Sequence, residues 1–255
     1  MDFQKFKFTD VRQKAINKGL LFSKWISFHD NTEFKARAAL FHLEQLINVY
    51  EKYIEENPLP DVQTVFNYYH PLKEIIFFEF HSVVMNLIGV FDSLLQEINC
   101  AYKLGLKQLQ TKGDKHVTFL NVNNSLKQLY PNCILITELE KLEQKSSNEH
   151  YWFNFLRQMR NIALHSDIYT NSEENKDINT IIREIKKINE RAKTEKIEEA
   201  EIFKLINKRD IVITVGNRNY FMLRLIIKLK EHMLEYVKNI HNIMIEDITN
   251  GIIKT

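Results

Sequence analysis

The chain has 255 residues, of which 44% are hydrophobic and 27% are charged, and these proportions indicate a folded globular protein rather than a disordered chain. Lysine and arginine (35) nearly balance aspartate and glutamate (33), and a net charge of +2 is too small for a protein whose whole surface coats nucleic acid. Six glycines and four prolines are too few for the many turns of a β-sandwich, so the composition favours long helices.

The cysteines and the N-terminal segment indicate the cellular compartment. Cys100 and Cys133 form no CxxC pair, which argues against a zinc site and against a disulfide scaffold. Residues 1–14 mix charged and aromatic side chains and lack the apolar block of a signal peptide. No apolar run approaches the roughly 18 residues that cross a bilayer. We therefore expect a soluble cytoplasmic protein with no membrane partner.

Two helices are predicted in the first 60 residues. The first covers about 9–25. The second covers 33–57, where apolar residues recur at three- and four-residue spacing, and Pro58 and Pro60 end it. Its apolar positions are Ala39, Phe41, Leu43, Leu46, Ile47, Tyr50 and Ile54. The pattern leaves open whether residues 1–60 form a separate cap or extension, or belong to the main bundle.

Residues 72–103 form the longest apolar periodic segment of the chain. A helix here has one wide apolar face, made of Phe80, Val84, Leu87, Phe91, Leu94 and Ile98. The opposite stripe is small and uncharged, and consists of Ser82, Asn86, Gly89, Ser93 and Gln96. A solvated face usually carries lysine and glutamate, so we predict that this stripe contacts another helix or an interface.

Three further helices are predicted before residue 170, over about 123–130, 134–145 and 148–166. The last of these contains most of the residues that suggest a function. Three polar residues are available to cap its N-terminus, namely Ser146, Ser147 and Asn148.

The C-terminal third changes character twice. Residues 170–200 are strongly charged with a sparse isoleucine stripe, which predicts an exposed helix. A small β-hairpin is predicted within 202–220, because β-branched residues flank the turn signal Gly216-Asn217. A long helix over about 218–247 follows. The fold class is therefore an all-α, multi-helix up-down bundle in a single domain over residues 1–255, with one small hairpin insert.

The segment RQMRNIALHSD, residues 157–167, combines polar residues that are unusual in an otherwise apolar helix. A polar stripe runs along the helix through His150, Asn154, Gln158, Asn161 and His165. Arg160 lies about 140° from His165 around an ideal helix, at the edge of the apolar side. One regular helix therefore cannot bring both side chains to one atom unless it ends before His165 or a second copy supplies one of them.

Several catalytic classes lack their sequence patterns. The chain contains neither HExxH nor ExxH, and Glu79 and His81 are two positions apart, which splays them on a helix. The scattered glycines form neither GxGxxG nor GxxxxGK. We therefore predict no metal ligands and no cofactor, and we expect neither a kinase, an ATPase nor a Rossmann dehydrogenase.

The run Arg160-Asn161-x-x-x-His165 resembles the R-N-x-x-x-H form of the R-x4-6-H signature of HEPN domains. The helical setting over about residues 70–250 is similar to the HEPN core. The resemblance implies a metal-independent endoribonuclease whose active site forms where two motif helices meet across a homodimer. It also implies RNA as substrate, a role as a toxin or in defence, and an antitoxin or other regulatory protein as a further partner.

The resemblance implies a role for each motif residue. His165 would act as general acid or base on the RNA 2′-hydroxyl or the leaving 5′-oxygen. Arg160 would bind the scissile phosphate, and Asn161 would orient a phosphate oxygen or the imidazole. The candidate RNA-contacting residues nearby are Arg157, His150 and Tyr151.

The chain departs from one HEPN pattern. HEPN toxins that are neutralised by a nucleotidyltransferase carry a tyrosine two positions after the histidine, whereas this chain has Asp167 there and Tyr169 beyond it. Asp167 is expected to support the site, either by pairing with Arg160 or by fixing the tautomer of His165.

Other interpretations stay open from sequence. Arg160 is also typical of a structural ion pair with an acidic residue, for which the candidates are Asp167, Asp92 and Glu79. His165 suits a helix C-terminus because of the helix dipole. The alternative function is a catalytically inactive HEPN-like helical module that binds RNA or a protein partner, and a helical structural protein is the third.

Overall fold

The computed structural model describes residues 8–17, 23–56, 71–108, 115–165, 212–215 and 218–253. The helices in this part of the chain are α1 (Phe8–Asn17), α2 (Ser23–Glu56), α3 (Pro71–Ala101), α4 (Phe119–Leu129), α5 (Ile134–Lys141), α6 (Asn148–His165) and α7 (Met222–Thr249). The described residues are mostly helical, which confirms the all-α, multi-helix prediction.

The β-structure in the described residues consists of one short hairpin and an isolated bridge between Lys107 and His116. Strands β1 (Val212–Val215) and β2 (Arg218–Phe221) pair antiparallel, with Val212 opposite Phe221 and Val215 opposite Arg218. The final helix begins at Met222, so the prediction that it starts at 218 is wrong: residues 218–221 pair as a strand instead. The predicted charged helix over 170–200 lies outside the described residues.

Helix α2 is longer at its N-terminus than the sequence pattern predicts. It begins at Ser23 rather than near 33. One buried stripe at alternating spacings of four and three residues explains its length: Trp25, His29, Thr32, Ala36, Ala39, Leu43, Leu46 and Tyr50. Phe41 was expected on the apolar face but is 55% exposed, because it lies between the buried positions of that stripe.

Helix α3 is the centre of the bundle and contacts α2, α4, α6 and α7. All six residues of its predicted apolar face are buried. Two residues of the small stripe on its other side, Gly89 and Ser93, contact α2, in line with the predicted helix contact. A Cβ atom at Gly89 would lie 3.2 Å from the Cδ atom of Lys35, and the amide of Asn31 donates to the Ser93 hydroxyl at 2.7 Å.

The apolar character of α3 has a further consequence. By length and composition alone, the segment Glu74–Ala101 is long and apolar enough to cross a membrane, and it is the one such helix among the described residues. The expectation that no segment reaches this length is therefore wrong by this criterion. The physical reason is that α3 combines a wide apolar face, which its neighbouring helices bury, with a small uncharged stripe opposite, so the segment carries few charges.

Shorter helices complete the bundle with small boundary shifts. Helix α4 begins at Phe119, before the predicted 123, because the hydroxyl of Thr118 caps it by accepting from the Asn121 amide at 3.2 Å. Helix α5 ends at Lys141 rather than at 145.

A buried polar cluster attaches the end of α7 to the rest of the bundle. The Asp247 carboxylate accepts a hydrogen bond from the Tyr102 hydroxyl at 2.5 Å and one from the Cys133 thiol at 3.2 Å. The Tyr130 hydroxyl donates to the carbonyl of Tyr102 at 3.0 Å. These bonds join the end of α7 to the residues that follow α3 and precede α5.

Candidate functional site

The motif residues lie at the end of α6. The helix begins at Asn148, and the Ser147 hydroxyl caps it by accepting from the His150 amide at 3.0 Å. Arg160, Asn161 and His165 occupy its last turns, as the sequence predicted. Their backbone is described but their side chains lie outside the described part, as does the whole of Asp167.

Aromatic packing fixes the position of α6 in the bundle. The ring of Phe153 lies 4.8 Å from that of Phe91 on α3, and the ring of Trp152 lies 5.5 Å from that of Tyr236 on α7. Both α6 aromatics are buried, and Phe155, Leu156 and Met159 continue the buried face. This face holds the helix that carries the motif in a defined register.

The predicted RNA-contacting residues have three different environments. His150 is half-buried, and its Nδ1 atom lies 2.9 Å from the carbonyl oxygen of Leu142. Its imidazole therefore contacts the backbone of the loop that precedes α6. Tyr151 is 55% exposed. Arg157 is exposed, and its guanidinium carbon lies 5.9 Å from the centre of the Phe153 ring. Tyr151 and Arg157 are therefore the two of this set available at the surface.

One acidic residue considered as a partner of Arg160 has another partner. The Oε2 atom of Glu79 lies 2.7 Å from the Nδ1 atom of His42, which links α3 to α2. This hydrogen-bonded contact joins α3 to α2, whereas α6 packs on α3 through the rings of Phe153 and Phe91.

A surface cleft of about 610 Å³ lies beside α6. Its apolar floor comes from α3, α4 and α6 and includes Phe91 and Phe153. Its rim carries charges of both signs, from Arg157, Asp92 and Glu143, together with the imidazole of His116. Arg157 lies one helical turn before Arg160, so the cleft and the motif are adjacent along α6.

The described residues also contain a buried polar cluster that the sequence analysis missed. Glu97 of α3 lies between two histidines: its Oε2 atom is 3.1 Å from Nδ1 of His29 on α2 and 2.9 Å from Nε2 of His241 on α7. The Thr32 hydroxyl donates to the other carboxylate oxygen at 2.5 Å. Glu97, His29 and Thr32 are 0% exposed and His241 is 1% exposed. We call His29, Glu97 and His241 the buried triad, and Thr32 is the threonine that donates a hydrogen bond to it.

Electrostatics keep Glu97 ionised inside the bundle. Burial by itself raises the pKa of this carboxyl, but the charge and hydrogen bonds of His241 and His29 outweigh it and bring the pKa to about 2. A buried carboxylate of this kind requires compensation from its neighbours. The two imidazoles and the threonine hydroxyl supply that compensation.

The triad escaped sequence analysis because its members are far apart in the chain. His29 and His241 are separated from Glu97 by 68 and 144 positions, so no short motif contains two of them. One signal was present: His29 and Thr32 occupy core positions of the α2 stripe, where a polar residue needs a buried partner.

Comparison with known proteins finds no relative of this chain. No protein-family model matches it, and no curated protein or solved structure matches it either.

Proposed function

We propose that this protein is a metal-independent endoribonuclease of the HEPN type, with an active site formed between two copies of the chain. The observation that carries the proposal is the run Arg160-Asn161-x-x-x-His165 in the last turns of a helix within an all-α bundle. We further propose that RNA is cleaved in the cytoplasm, and that an antitoxin or other regulatory protein restrains the activity.

The proposed reaction is transesterification through the neighbouring 2′-hydroxyl. His165 accepts the 2′-hydroxyl proton while the 2′-oxygen attacks phosphorus, and the bond from phosphorus to the 5′-oxygen breaks. The leaving 5′-oxygen takes a proton from water or from a protonated His165 of the second copy, so one histidine in the cleft supports slow cleavage and two support faster cleavage. The products are a 2′,3′-cyclic phosphate and a 5′-hydroxyl, and no redox change or metal ion is required.

Arg160 and Asn161 are assigned to the phosphate. The guanidinium of Arg160 carries a permanent charge and a planar set of donors, which suits the charge that develops on the phosphoryl oxygens. Asn161 orients an oxygen or the imidazole. A dimer supplies both arginines and both histidines to one cleft, which resolves the difficulty that one regular helix separates Arg160 from His165 by about 140°.

The cleft beside α6 is the proposed path of the RNA. Arg157 on its rim gives a cation one turn before the motif, and Tyr151 on the same helix is exposed. An exposed aromatic side chain stacks on bases without sequence preference. The acidic residues on the rim, Asp92 and Glu143, repel phosphate and limit where the strand passes.

The same acidic residues favour a second candidate function. A cleft with one cationic and two anionic side chains on its rim binds a polyanion weakly, so a catalytically inactive HEPN-like module that binds RNA or a protein partner is the alternative. Fluorescence anisotropy with labelled RNA at several salt concentrations separates the two versions of this alternative. RNA binding without turnover weakens steeply with salt, whereas a protein-binding module shows no RNA affinity.

The test of the nuclease proposal is RNA cleavage in EDTA by the wild type, Arg160→Ala and His165→Ala. His42→Ala is the matched control, because His42 is a histidine of the α2–α3 contact, away from α6. We expect both motif variants to lose at least a hundredfold in rate and the control to keep its activity. Cleavage that is unaffected by His165→Ala overturns the proposal, and circular dichroism in the same buffer shows whether each variant is folded.

A further inference from the structure

We propose that His29, Glu97 and His241 bind one divalent transition-metal ion of the zinc class in the interior of the bundle. The site is separate from the RNA motif and does not depend on the proposed nuclease activity. The metal would connect α2, α3 and α7, since each helix contributes one ligand.

The positions of the three ligand atoms support this assignment. Zinc bonds to imidazole nitrogen at about 2.0–2.1 Å and to carboxylate oxygen at about 2.0–2.2 Å, so ligand atoms around one ion are separated by roughly 3–3.5 Å. The Glu97 oxygen lies 3.1 Å from the His29 nitrogen and 2.9 Å from the His241 nitrogen. All three atoms lie within 4.8 Å of one another, so small side-chain rotations bring them to a common centre.

The chemical types of the ligands select the metal. Two imidazoles and one carboxylate suit zinc, iron, cobalt, nickel and copper, whereas calcium and magnesium prefer oxygen ligands alone. Two histidines with one glutamate are also a known three-ligand set for zinc, with the fourth position taken by water or another ligand. The bound ion would add two positive charges next to a carboxylate that is 0% exposed.

Neighbouring side chains already orient the ligands. The Thr32 hydroxyl donates to Oε1 of Glu97, which leaves Oε2 directed at the two histidines. The ring of Trp25 stacks on that of His29 with centroids 4.9 Å apart and planes 16° from parallel, which fixes the imidazole. Outer residues of this kind are a common feature of protein metal sites.

The first experiment uses the full-length wild-type protein. It is freed of metal with a chelator, dialysed, and titrated with Zn²⁺ and separately with Co²⁺, with binding followed by elemental analysis and by melting temperature. We expect one equivalent per chain and a melting temperature raised by about 5 °C or more, because a ligand that binds only the folded state stabilises it. Zn²⁺ has a filled d shell, so Co²⁺ supplies the visible absorption that reports the ligands.

The Co²⁺ spectrum distinguishes this site from one that contains a cysteine. Cys100 lies one turn after Glu97 on α3, and Cys133 lies elsewhere in the core. Ligation by the triad gives nitrogen and oxygen ligands only, so we expect no sulfur-to-cobalt charge-transfer band in the near ultraviolet. A strong band of that kind in the wild type places the metal on a cysteine and overturns the assignment.

The second experiment compares variants. Glu97→Gln and His241→Ala should each reduce bound metal to less than a tenth of an equivalent, while the matched control His42→Ala, which removes a histidine from another histidine–glutamate pair, should keep one equivalent. The wild-type titration needs no variant, so it decides the matter even where a variant fails to fold. The absence of stoichiometric binding to the wild type, or one equivalent retained in both folded triad variants, overturns the proposal.

Discussion

The Nε2 atom of His241 lies 2.9 Å from the Oε2 atom of Glu97, and this contact joins the last helix of the bundle to its central helix. The ring of His29 from α2 lies 4.9 Å from that of His241, so three helices meet at one ionised carboxyl group. Long-range polar contacts of this kind specify which helices are neighbours, because each partner that is lost leaves a buried polar group without compensation.

A substitution at Thr32 measures how much the hydrogen bond to the second carboxylate oxygen of Glu97 contributes to the free energy of unfolding. Thr32→Val keeps the shape of the side chain but removes the hydroxyl that lies 2.5 Å from Oε1 of Glu97. We expect the free energy of unfolding to fall by about 1–3 kcal/mol, the usual cost of a buried charged group that loses its hydrogen bond. Urea denaturation measures it.

Thr32→Ser is the control for that measurement. Serine retains the hydroxyl and loses only a methyl group, so Thr32→Ser should lower the free energy of unfolding clearly less than Thr32→Val does. Equal destabilisation by the two substitutions would show that packing at this position matters and the hydrogen bond does not.

Gly89 tests the close approach of α2 and α3. A Cβ atom at this position would lie 3.2 Å from Cδ of Lys35, and the lysine side chain is flexible enough to move by a few tenths of an ångström. We expect Gly89→Ala to stabilise the protein by about 0.5–1 kcal/mol, because alanine is favoured over glycine inside a helix.

Gly89→Leu is the contrasting variant. Its larger side chain cannot be accommodated by a shift of Lys35 alone, so we expect a loss of about 1–3 kcal/mol from separation of the helices. Thermal unfolding of the two variants shows whether alanine stabilises the protein and leucine destabilises it. Destabilisation by alanine would contradict the interpretation of this stripe as a surface that tolerates one methyl group.

The sequence predicts the parts of the fold in which apolar periodicity is uninterrupted. All six apolar positions assigned to one face of α3 are buried. The start of α2 was missed because His29 and Thr32 occupy two consecutive core positions there, and they make the apolar stripe seem to end. His29 is a member of the triad and Thr32 is its threonine. The helix start was therefore mispredicted at the same residues that form the buried site.

The candidate sites differ in what sequence alone can show. The motif in α6 is local, so one helix brings Arg160, Asn161 and His165 within a few turns of one another. The triad depends on which helices are neighbours, and nothing in the residues around Glu97 specifies that α2 and α7 supply its partners. Such a site becomes visible only once the packing of the helices is known.

The raised pKa of Cys133 leads us to expect that the free energy of unfolding falls at alkaline pH. Burial, and then the hydrogen bond to Asp247, raise the pKa of its thiol to about 11 from an ordinary value of 9. Because the folded pKa is the higher one, the stabilisation is complete below pH 9 and is lost as the pH rises from 9 to 11. A single linked proton changes the free energy of unfolding by at most about 1.4 kcal/mol per pH unit.

Cys133→Ser isolates this effect. Serine keeps a donor for Asp247 but does not titrate in this range, so its free energy of unfolding should fall less between pH 9 and pH 11 than that of the wild type. Burial and Asp247 also raise the pKa of Tyr102, so some alkaline loss remains in both proteins. Parallel urea titrations at the two pH values measure the difference, and an identical loss in both proteins would contradict the assignment to Cys133.

A shared active site predicts complementation between inactive variants. Arg160→Ala retains His165, and His165→Ala retains Arg160, so a mixed dimer holds one of each in the same cleft. We expect RNA cleavage to reappear, more slowly than in the wild type because only one His165 is present, when the two variants are unfolded together and refolded, while each alone stays inactive. Sedimentation equilibrium should give a dimer for every sample. A monomer, or the absence of recovery in confirmed mixed dimers, would contradict a site shared in this way.

The chemistry assigned to His165 is tested most directly by the ends of the RNA products. Mass spectrometry of a short RNA incubated in EDTA with the wild type should show a 2′,3′-cyclic phosphate on one fragment and a 5′-hydroxyl on the other. The same incubation with folded His165→Ala should leave the RNA intact. Products that end in a 3′-hydroxyl, or cyclic phosphate formed in equal amount by His165→Ala, would contradict the account.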